Sequence, residues 1–277
     1  MLYLIATPIG NLKDITLRAL ETLKDVDVIA CEDKRVSSKL LNHYAISKPL
    51  FSYHDHNADQ ARPRLLSLLK EGKKVAYITD GGMPLISDPG FKLVKACQKE
   101  GLPYTVLPGA SAPLMALCLS GFPPDHFFFS GFLPAKKAAR CRALEDLKGM
   151  TATLLFFESP KRLLPFLKDA LEVFGDRKGS VCREMTKIYE EARLGSLSTL
   201  IEHFEANPPR GEIVVVIEGA SEISSLSEDE LEAHLQKALS TMSVKEAVET
   251  ISKAFGQPKR EVYQRALSLK EKKGSLS

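Results

Sequence analysis

The chain has 277 residues, 26% charged and 44% hydrophobic, the balance of a soluble globular protein of about two domains. Its net charge of +3 comes from 38 Lys and Arg against 35 Asp and Glu, so any nucleic-acid contact has to come from local clusters and not from a protein-wide basic field. No apolar run approaches the roughly 18 residues of a membrane helix, and the apolar start has no basic segment before it. Cys31, Cys97, Cys118, Cys141 and Cys182 contain no C-x-x-C pair. That fits buried thiols in a reducing, cytoplasmic setting and gives no reason to expect a metal.

In chain order, a short buried strand is expected at 2–6, a helix at 15–23, a strand at 26–30, and helices at 35–43 and 62–70. A strand at 75–79, a helix at 89–100, a strand at 104–107 and a helix at 111–119 follow. This alternation predicts a largely parallel sheet with helices on its faces, over residues 1–121. A Gly-Phe-Pro-Pro-Asp linker at 121–125 separates it from a second α/β domain at 125–222. There, strands are expected at 127–130, 153–157, 180–182 and 213–217, with helices at 140–147, 162–173 and 197–205. Residues 220–227 read as a second linker. The last part, 228–277, is a small helical module with helices at 228–239, 244–255 and 259–269 and a basic, frayed tail from 270.

Three loops follow strands of the first domain on the side where open α/β sheets collect ligands. They are Thr7-Pro8-Ile9-Gly10-Asn11, then Asp80-Gly81-Gly82-Met83-Pro84 running on to Gly90, and Pro108-Gly109-Ala110-Ser111-Ala112. Glycines let the backbone approach a ligand closely, and small residues opening a helix leave free N–H groups. Each loop alone reads more readily as a tight turn with structural glycines; three together point to a ligand with an adenosine-like mix of polar and apolar surface. Neither G-x-G-x-x-G nor G-x-x-x-x-G-K-[ST] occurs, which argues against a dinucleotide dehydrogenase and a P-loop enzyme.

Two polar clusters end strands on the same rim: Cys31-Glu32-Asp33-Lys34-Arg35 and Ser52-Tyr53-His54-Asp55-His56-Asn57. Asp33 and His54 are the candidate general bases, and Arg35 is a phosphate ligand by chemistry; each cluster is equally a solvated loop with capping carboxylates. Lys136, Lys137, Arg140 and Arg142 place four positive charges in seven residues, and Lys161-Arg162 add two more. Phosphate attraction and a solvated helix face explain them equally well.

These blocks, taken in order over roughly 2–218, resemble the ribosomal RNA small subunit methyltransferase I family. The opening Thr7-Pro8-Ile9-Gly10-Asn11-Leu12, Glu32-Asp33 with Arg35, His54-Asp55-His56-Asn57 and Ser87-Asp88-Pro89-Gly90 carry it. So do Pro108-Gly109-Ala110-Ser111, Gly131-Phe132-Leu133-Pro134-Ala135-Lys136, Glu158-Ser159, Arg183-Glu184-Met185-Thr186-Lys187 and Gly211-Glu212. Ser243-Val244-Lys245-Glu246-Ala247 and Lys259-Arg260-Glu261-Val262-Tyr263 resemble the helical module appended to these enzymes.

The resemblance implies a tetrapyrrole-methylase-like fold, with two α/β domains and S-adenosylmethionine between them. It further implies a homodimer and 2′-O-methylation of a decoding-centre cytidine in 16S rRNA, within the small ribosomal subunit and away from any membrane. The cofactor is then expected at Pro8, Asp80, Gly81, Met83, Pro84, Ser111, Ala112, Phe157 and Met185. The RNA is expected at Arg35, Asn57, Lys136, Lys137, Arg140 and Arg162. The sequence departs from the family's usual residues at Gly81 (Ala), Met83 (Thr) and Lys34 (Thr), so a hydroxyl donor at position 83 is gone. Rival readings are methylation of a small tetrapyrrole on the same fold and a ribosome-assembly RNA binder without catalysis.

Overall fold

A computed structural model describes residues 1–221, 228–255 and 258–274. The first half is built on β1 (Leu2–Ile5), β2 (Val28–Cys31), β3 (Leu50–Ser52), β4 (Val75–Ile78) and β5 (Tyr104–Leu107). They form one sheet in the order β3-β2-β4-β1-β5, parallel throughout. Helices α1 (Leu17–Asp25), α2 (Lys34–His43), α3 (Ala58–Lys70) and α4 (Phe91–Lys99) cover its two faces. A parallel sheet covered on both sides needs apolar residues at successive positions, and β4 is buried along its whole length. That is why β1 and β4 were readable as continuous apolar runs.

The second half holds β6 (Phe127–Phe132), β7 (Thr153–Glu158), β8 (Lys178–Arg183), β9 (Glu191–Ser196) and β10 (Ile213–Ile217). Their order is β6-β7-β10-β8-β9; β6 and β7 are parallel and the remaining pairs antiparallel. The face of this sheet turned toward the first half receives α5 (Ala112–Ser120), the helix that ends that half. Ala116 and Leu117 pack there with Leu155, Cys182, Val214 and Val216. Helices α6 (Lys137–Glu145), α7 (Pro160–Phe174) and α8 (Leu197–Ala206) pack on the other face. Residues Met1–Gly219 therefore make one compact unit, and Ala220–Ser277 a second.

The second unit has α9 (Glu228–Leu239), α10 (Val244–Phe255) and α11 (Lys259–Gly274), around a core of Leu235, Val248, Ile251, Val262, Ala266 and Leu269. Of the expected linker and tail, 222–227 and 275–277 lie outside the described residues; the tail is helical as far as Gly274. Two strands had no expectation, β3 and β9. Both are edge strands, and β9, Glu-Ala-Arg-Leu-Gly-Ser, is exposed over its middle. An edge strand needs no continuous apolar pattern.

Candidate active site

The loops after β1, β4 and β5 converge with the ends of β7, β8 and β10 on a cleft of about 780 Å³ within the first unit. Its first wall is a pair of loops tied back to back. Thr7 N–H donates to Gly82 O at 2.9 Å and Gly82 N–H to Thr7 O at 3.0 Å, while the buried Thr7 hydroxyl donates to Thr79 O at 3.1 Å. Gly82 sits at φ +92° with Ile9 against it, a conformation that costs glycine least. Leu85 (φ 74°) and Ser87 (φ 62°) on this side, and Glu184 (φ 49°) and Thr186 (φ 67°) on the other, adopt the left-handed backbone without being glycine. Such residues persist only where surrounding contacts hold them, and they cluster at ligand sites.

The two sides meet at one rim. Asn11 N–H donates to Thr186 Oγ1 at 2.9 Å, and a Cβ on Gly10 would lie 2.5 Å from that oxygen and 2.9 Å from Met185 O. Lys187 is held by Glu184 and Glu212, each at 2.9 Å.

Of the residues expected at the cofactor, Pro8, Asp80, Gly81, Met83, Ser111, Ala112, Phe157 and Met185 all line the cleft. Pro84 is not among its lining residues; it lies one step beyond Met83 in the same loop. Met83 offers the cleft a thioether in place of a hydroxyl.

The expected bases change. Asp33 is the N-cap of α2: its carboxylate accepts from Arg35 N–H at 2.8 Å and pairs with the Arg35 guanidinium at 2.7 Å. Those Arg35 bonds pull its pKa down to about 2, so it holds a proton too weakly to serve as a base. His54 does not line the cleft, and its Nδ1 is buried without a hydrogen-bond partner. Within this cluster the carboxylate that reaches the cleft is Glu32, one residue earlier. Burial and the nearby charges of Asp80, Asp88 and Asp55 raise it to about 7, and among the described residues it has no ion-pair partner. Asp88 is raised to about 6, by burial first and Asp80 after it, against a Thr79 hydrogen bond that lowers it. Asp80 is raised by burial although it accepts from Asp33 N–H at 3.1 Å. The signal for Glu32 was present in the sequence. Asp is a preferred N-cap, so Asp33 belonged to the helix, leaving Glu32 at the strand end, where Asp80 stands after β4.

The expected phosphate ligands are also redistributed. Arg140 is buried, 2.6 Å from Asp169, and donates to Ala135 O. Its charge staples α6 to α7 and is buried away from solvent, unlike the exposed phosphate ligand expected from the sequence. Lys137 pairs with Glu172 and Asp169 on the same surface. Arg162 lies 3.2 Å from Glu158 Oε1 and donates to Leu133 O. Asn57 is spent on its own loop, accepting from His54 N–H and donating to Ser52 O. Lys136 is exposed and has no ion-pair partner among the described residues. Arg35 is 88% exposed despite its pairing. Neither Lys136 nor Arg35 lines the cleft itself.

Glu158 was expected only as part of a sequence block. It lines the cleft with its side chain fully buried and its Oε2 lacks any hydrogen-bond partner. Burial raises its pKa. The lining thus carries Glu32, Asp80, Asp88, Glu158 and Glu212 against Lys39 and Lys187, and Lys187 is already paired. Beside these stand Ile9, Met83, Ala112, Phe157, Met185 and Val214. A site of this kind accepts a cationic, partly apolar ligand and disfavours a polyphosphate.

A family model for tetrapyrrole (corrin/porphyrin) methylases matches residues 1–201, and one for the RsmI C-terminal HTH domain matches residues 225–270. A protein of Mesorhizobium japonicum named ribosomal RNA small subunit methyltransferase I is 46% identical over 275 residues, covering 99% of this chain and 93% of that protein. One of the same name from Thermotoga maritima is 50% identical over 218 residues, covering 79% and 98%. Among solved structures, uroporphyrin-III-C-methyltransferase from Thermus thermophilus superposes with a TM-score of 0.57 at 23% identity, covering 78% of this chain and 93% of that one. Diphthine synthase superposes with a TM-score of 0.61 at 15% identity, covering 78% and 89%. The last two similarities speak for the fold alone. Among the described residues no helix is long and apolar enough to cross a membrane.

Proposed function

This chain belongs to the tetrapyrrole methylases and, within them, to the ribosomal RNA small subunit methyltransferase I family; from that premise we propose that its cleft binds S-adenosylmethionine and methylates the 2′-hydroxyl of a decoding-centre cytidine in 16S rRNA. The observation that carries the reading is the union, in one cleft, of the glycine loops with a group of carboxylates that lack cations. When bound, S-adenosylmethionine supplies an electrophilic methyl group on a sulfonium with a good leaving group.

The residues fit such a ligand. Asp80 and the orphaned Glu158 Oε2 are acceptors for hydroxyl or amino donors. Gly81, Gly82 and the backbone at Ser111 and Ala112 permit close approach, while Met83, Phe157 and Met185 supply apolar surface. The net negative lining favours a sulfonium cation.

Glu32 would take the proton of the ribose 2′-hydroxyl and hold it until water removes it, while the cofactor, when bound, would supply the methyl group and leave as a neutral thioether that keeps the C–S electron pair. A base near pH 7 suits this work. Holding hydroxyl and methyl in line contributes roughly 7–11 kcal/mol of the barrier reduction. The ribose enters as a neutral group, and its flanking phosphates lie outside the acidic lining, where Lys136 and Arg35 are available. The same lining weighs against a multiply carboxylated tetrapyrrole as substrate. Homodimer formation and cytoplasmic location follow the family resemblance, and sedimentation tests the first.

The test is methyl transfer from labelled S-adenosylmethionine to small ribosomal subunits lacking the modification, with the product nucleotide mapped. The expected product is a 2′-O-methylcytidine, and a 2′-deoxy substrate is inert. Methylation of the deoxy nucleotide would refute the ribose assignment; cofactor binding without transfer to RNA would move the chain to a small-molecule substrate.

A further inference from the structure

The second unit contains a groove that the catalytic reading does not use. Helices α10 and α11 are separated by three residues, 256–258, the spacing of a helix-turn-helix pair. The start of α10 is fixed by a reciprocal pair: Ser243 Oγ accepts from Glu246 N–H, and Ser243 N–H donates to Glu246 Oε2 at 3.0 Å, the arrangement of a capping box. Val248, Ile251, Val262, Ala266 and Leu269 bury the facing sides. What is left outward is a groove of about 360 Å³ lined by Lys245, Val248, Glu249, Lys259, Arg260 and Tyr263.

The chemistry of that groove is uneven. Lys245 and Arg260 have no ion-pair partner among the described residues, and Lys259 is only 3.7 Å from Glu249 with both side chains largely exposed. Tyr263, which lines the same groove, is 47% exposed. By sequence, α11 carries six Lys and Arg against two Glu, in a chain whose net charge is only +3. Three exposed cations around an exposed aromatic ring match a nucleic-acid strand: phosphates for the cations, a base face for the ring. In the proposed reaction, phosphate binding is also the property the acidic cleft lacks.

We infer that the α10–α11 groove of the second unit binds the phosphate backbone of the ribosomal RNA substrate through Lys245, Lys259 and Arg260, with Tyr263 stacking on an unpaired base. The inference rests on the RNA reading of the active site for its choice of RNA, but it places the affinity elsewhere in the chain. The appended helices then supply substrate affinity that the cleft, with its surplus of carboxylates, does not.

The test uses the full chain. Lys245→Ala/Lys259→Ala/Arg260→Ala together, and Tyr263→Ala separately, are compared with wild type for binding to naked small-subunit rRNA over a salt series and for transfer kinetics. The triple variant is expected to bind about tenfold or more weakly at roughly 0.15 M salt and to flatten the slope of log K against log salt by roughly two to three. KM for RNA rises while kcat and S-adenosylmethionine affinity stay unchanged. Tyr263→Phe retains binding where Tyr263→Ala loses it. Unchanged affinity and slope in the triple variant would overturn the inference. Equal or tighter binding of duplex DNA through the same residues would overturn the RNA assignment. Wild type that binds RNA with the expected slope but transfers no methyl group would count against the catalytic reading and leave the groove intact.

Discussion

The two sheets of the first unit use charge in opposite ways. Around the second sheet nearly every buried or half-buried carboxylate has a cation: Asp169 has Arg140, Glu191 has Arg183, and Glu184 has Lys187. Around the first sheet, Glu32, Asp80 and Asp88 are gathered at the strand ends without one. Pairing makes a buried charge tolerable and fixes geometry; leaving carboxylates together and half-buried costs stability and raises their proton affinity. The difference separates a scaffold from the cleft proposed to handle a proton and a cationic ligand. Glu158 sits at the seam, one oxygen engaged near Arg162 and the other without a partner.

The strongest way to break this comparison is at Glu32. Glu32→Gln is expected to lower kcat by about 10²–10⁴-fold and to abolish the rise of wild-type rate through about pH 7, read from a pH series of single-turnover transfer. Its stability effect has the opposite sign. The folded-state proton affinity of Glu32 is raised, so its contribution is fully present below the ordinary carboxylate range near 4.5 and is lost as pH rises through about 7. Glu32→Gln therefore matches wild type in melting temperature near the ordinary carboxylate range and exceeds it once the pH is above about 7. A variant less stable than wild type on the alkaline side would contradict the picture of an unpaired, strained carboxylate.

On the other side, removing one half of a buried pair exposes what the pairing does. Asp169→Ala is expected to cost about 3–5 kcal/mol in urea unfolding, because Arg140 stays buried and uncompensated. Replacing both residues by apolar ones of similar size recovers most of that loss. A single-variant cost under about 1 kcal/mol would mean that Arg140 is not a staple, and would make it an RNA ligand again.

The rim between the halves gives a smaller effect. Gly10→Ala drives a methyl group toward Thr186 Oγ1 and the Met185 carbonyl, with an overpacking cost of about 1–3 kcal/mol. Because Met185 lines the cleft, calorimetry should record weaker S-adenosylmethionine binding alongside the lower stability. The smallest expected change is Asp33→Ala. It loses an N-cap worth about 1 kcal/mol and leaves kcat within a few-fold of wild type. A loss matching that of Glu32→Gln would reverse the assignment of the base.

Local pattern made most of the architecture readable. The β-branched-rich apolar runs at 75–79 and 213–217, bounded by turn signals, read as strands buried on both faces, and the glycine loops after β1, β4 and β5 pointed to the ligand side. Eight of the nine positions expected at the cofactor line the cleft because they sit at strand ends or in the loops that follow them. The phosphate ligands were harder. Whether Arg140 meets solvent or Asp169 depends on a helix 29 residues further on, and no window around position 140 contains that partner. Asp33 and Glu32 differ by one position, and the choice turns on which of them the helix claims. The edge strands β3 and β9 escaped because their residues are only partly buried and demand no continuous apolar pattern.

The paired hydrogen bonds between Thr7 and Gly82 have a consequence for inheritance. They make the β1 and β4 loops a single part, although β2 and β3 lie between them in the chain. Neither loop can be exchanged with that of another methylase on its own, since each supplies the backbone partner that shapes the other. Loop grafts intended to change the ligand will succeed only when both segments travel together, and substitutions tolerated in one segment will depend on the ancestry of its mate.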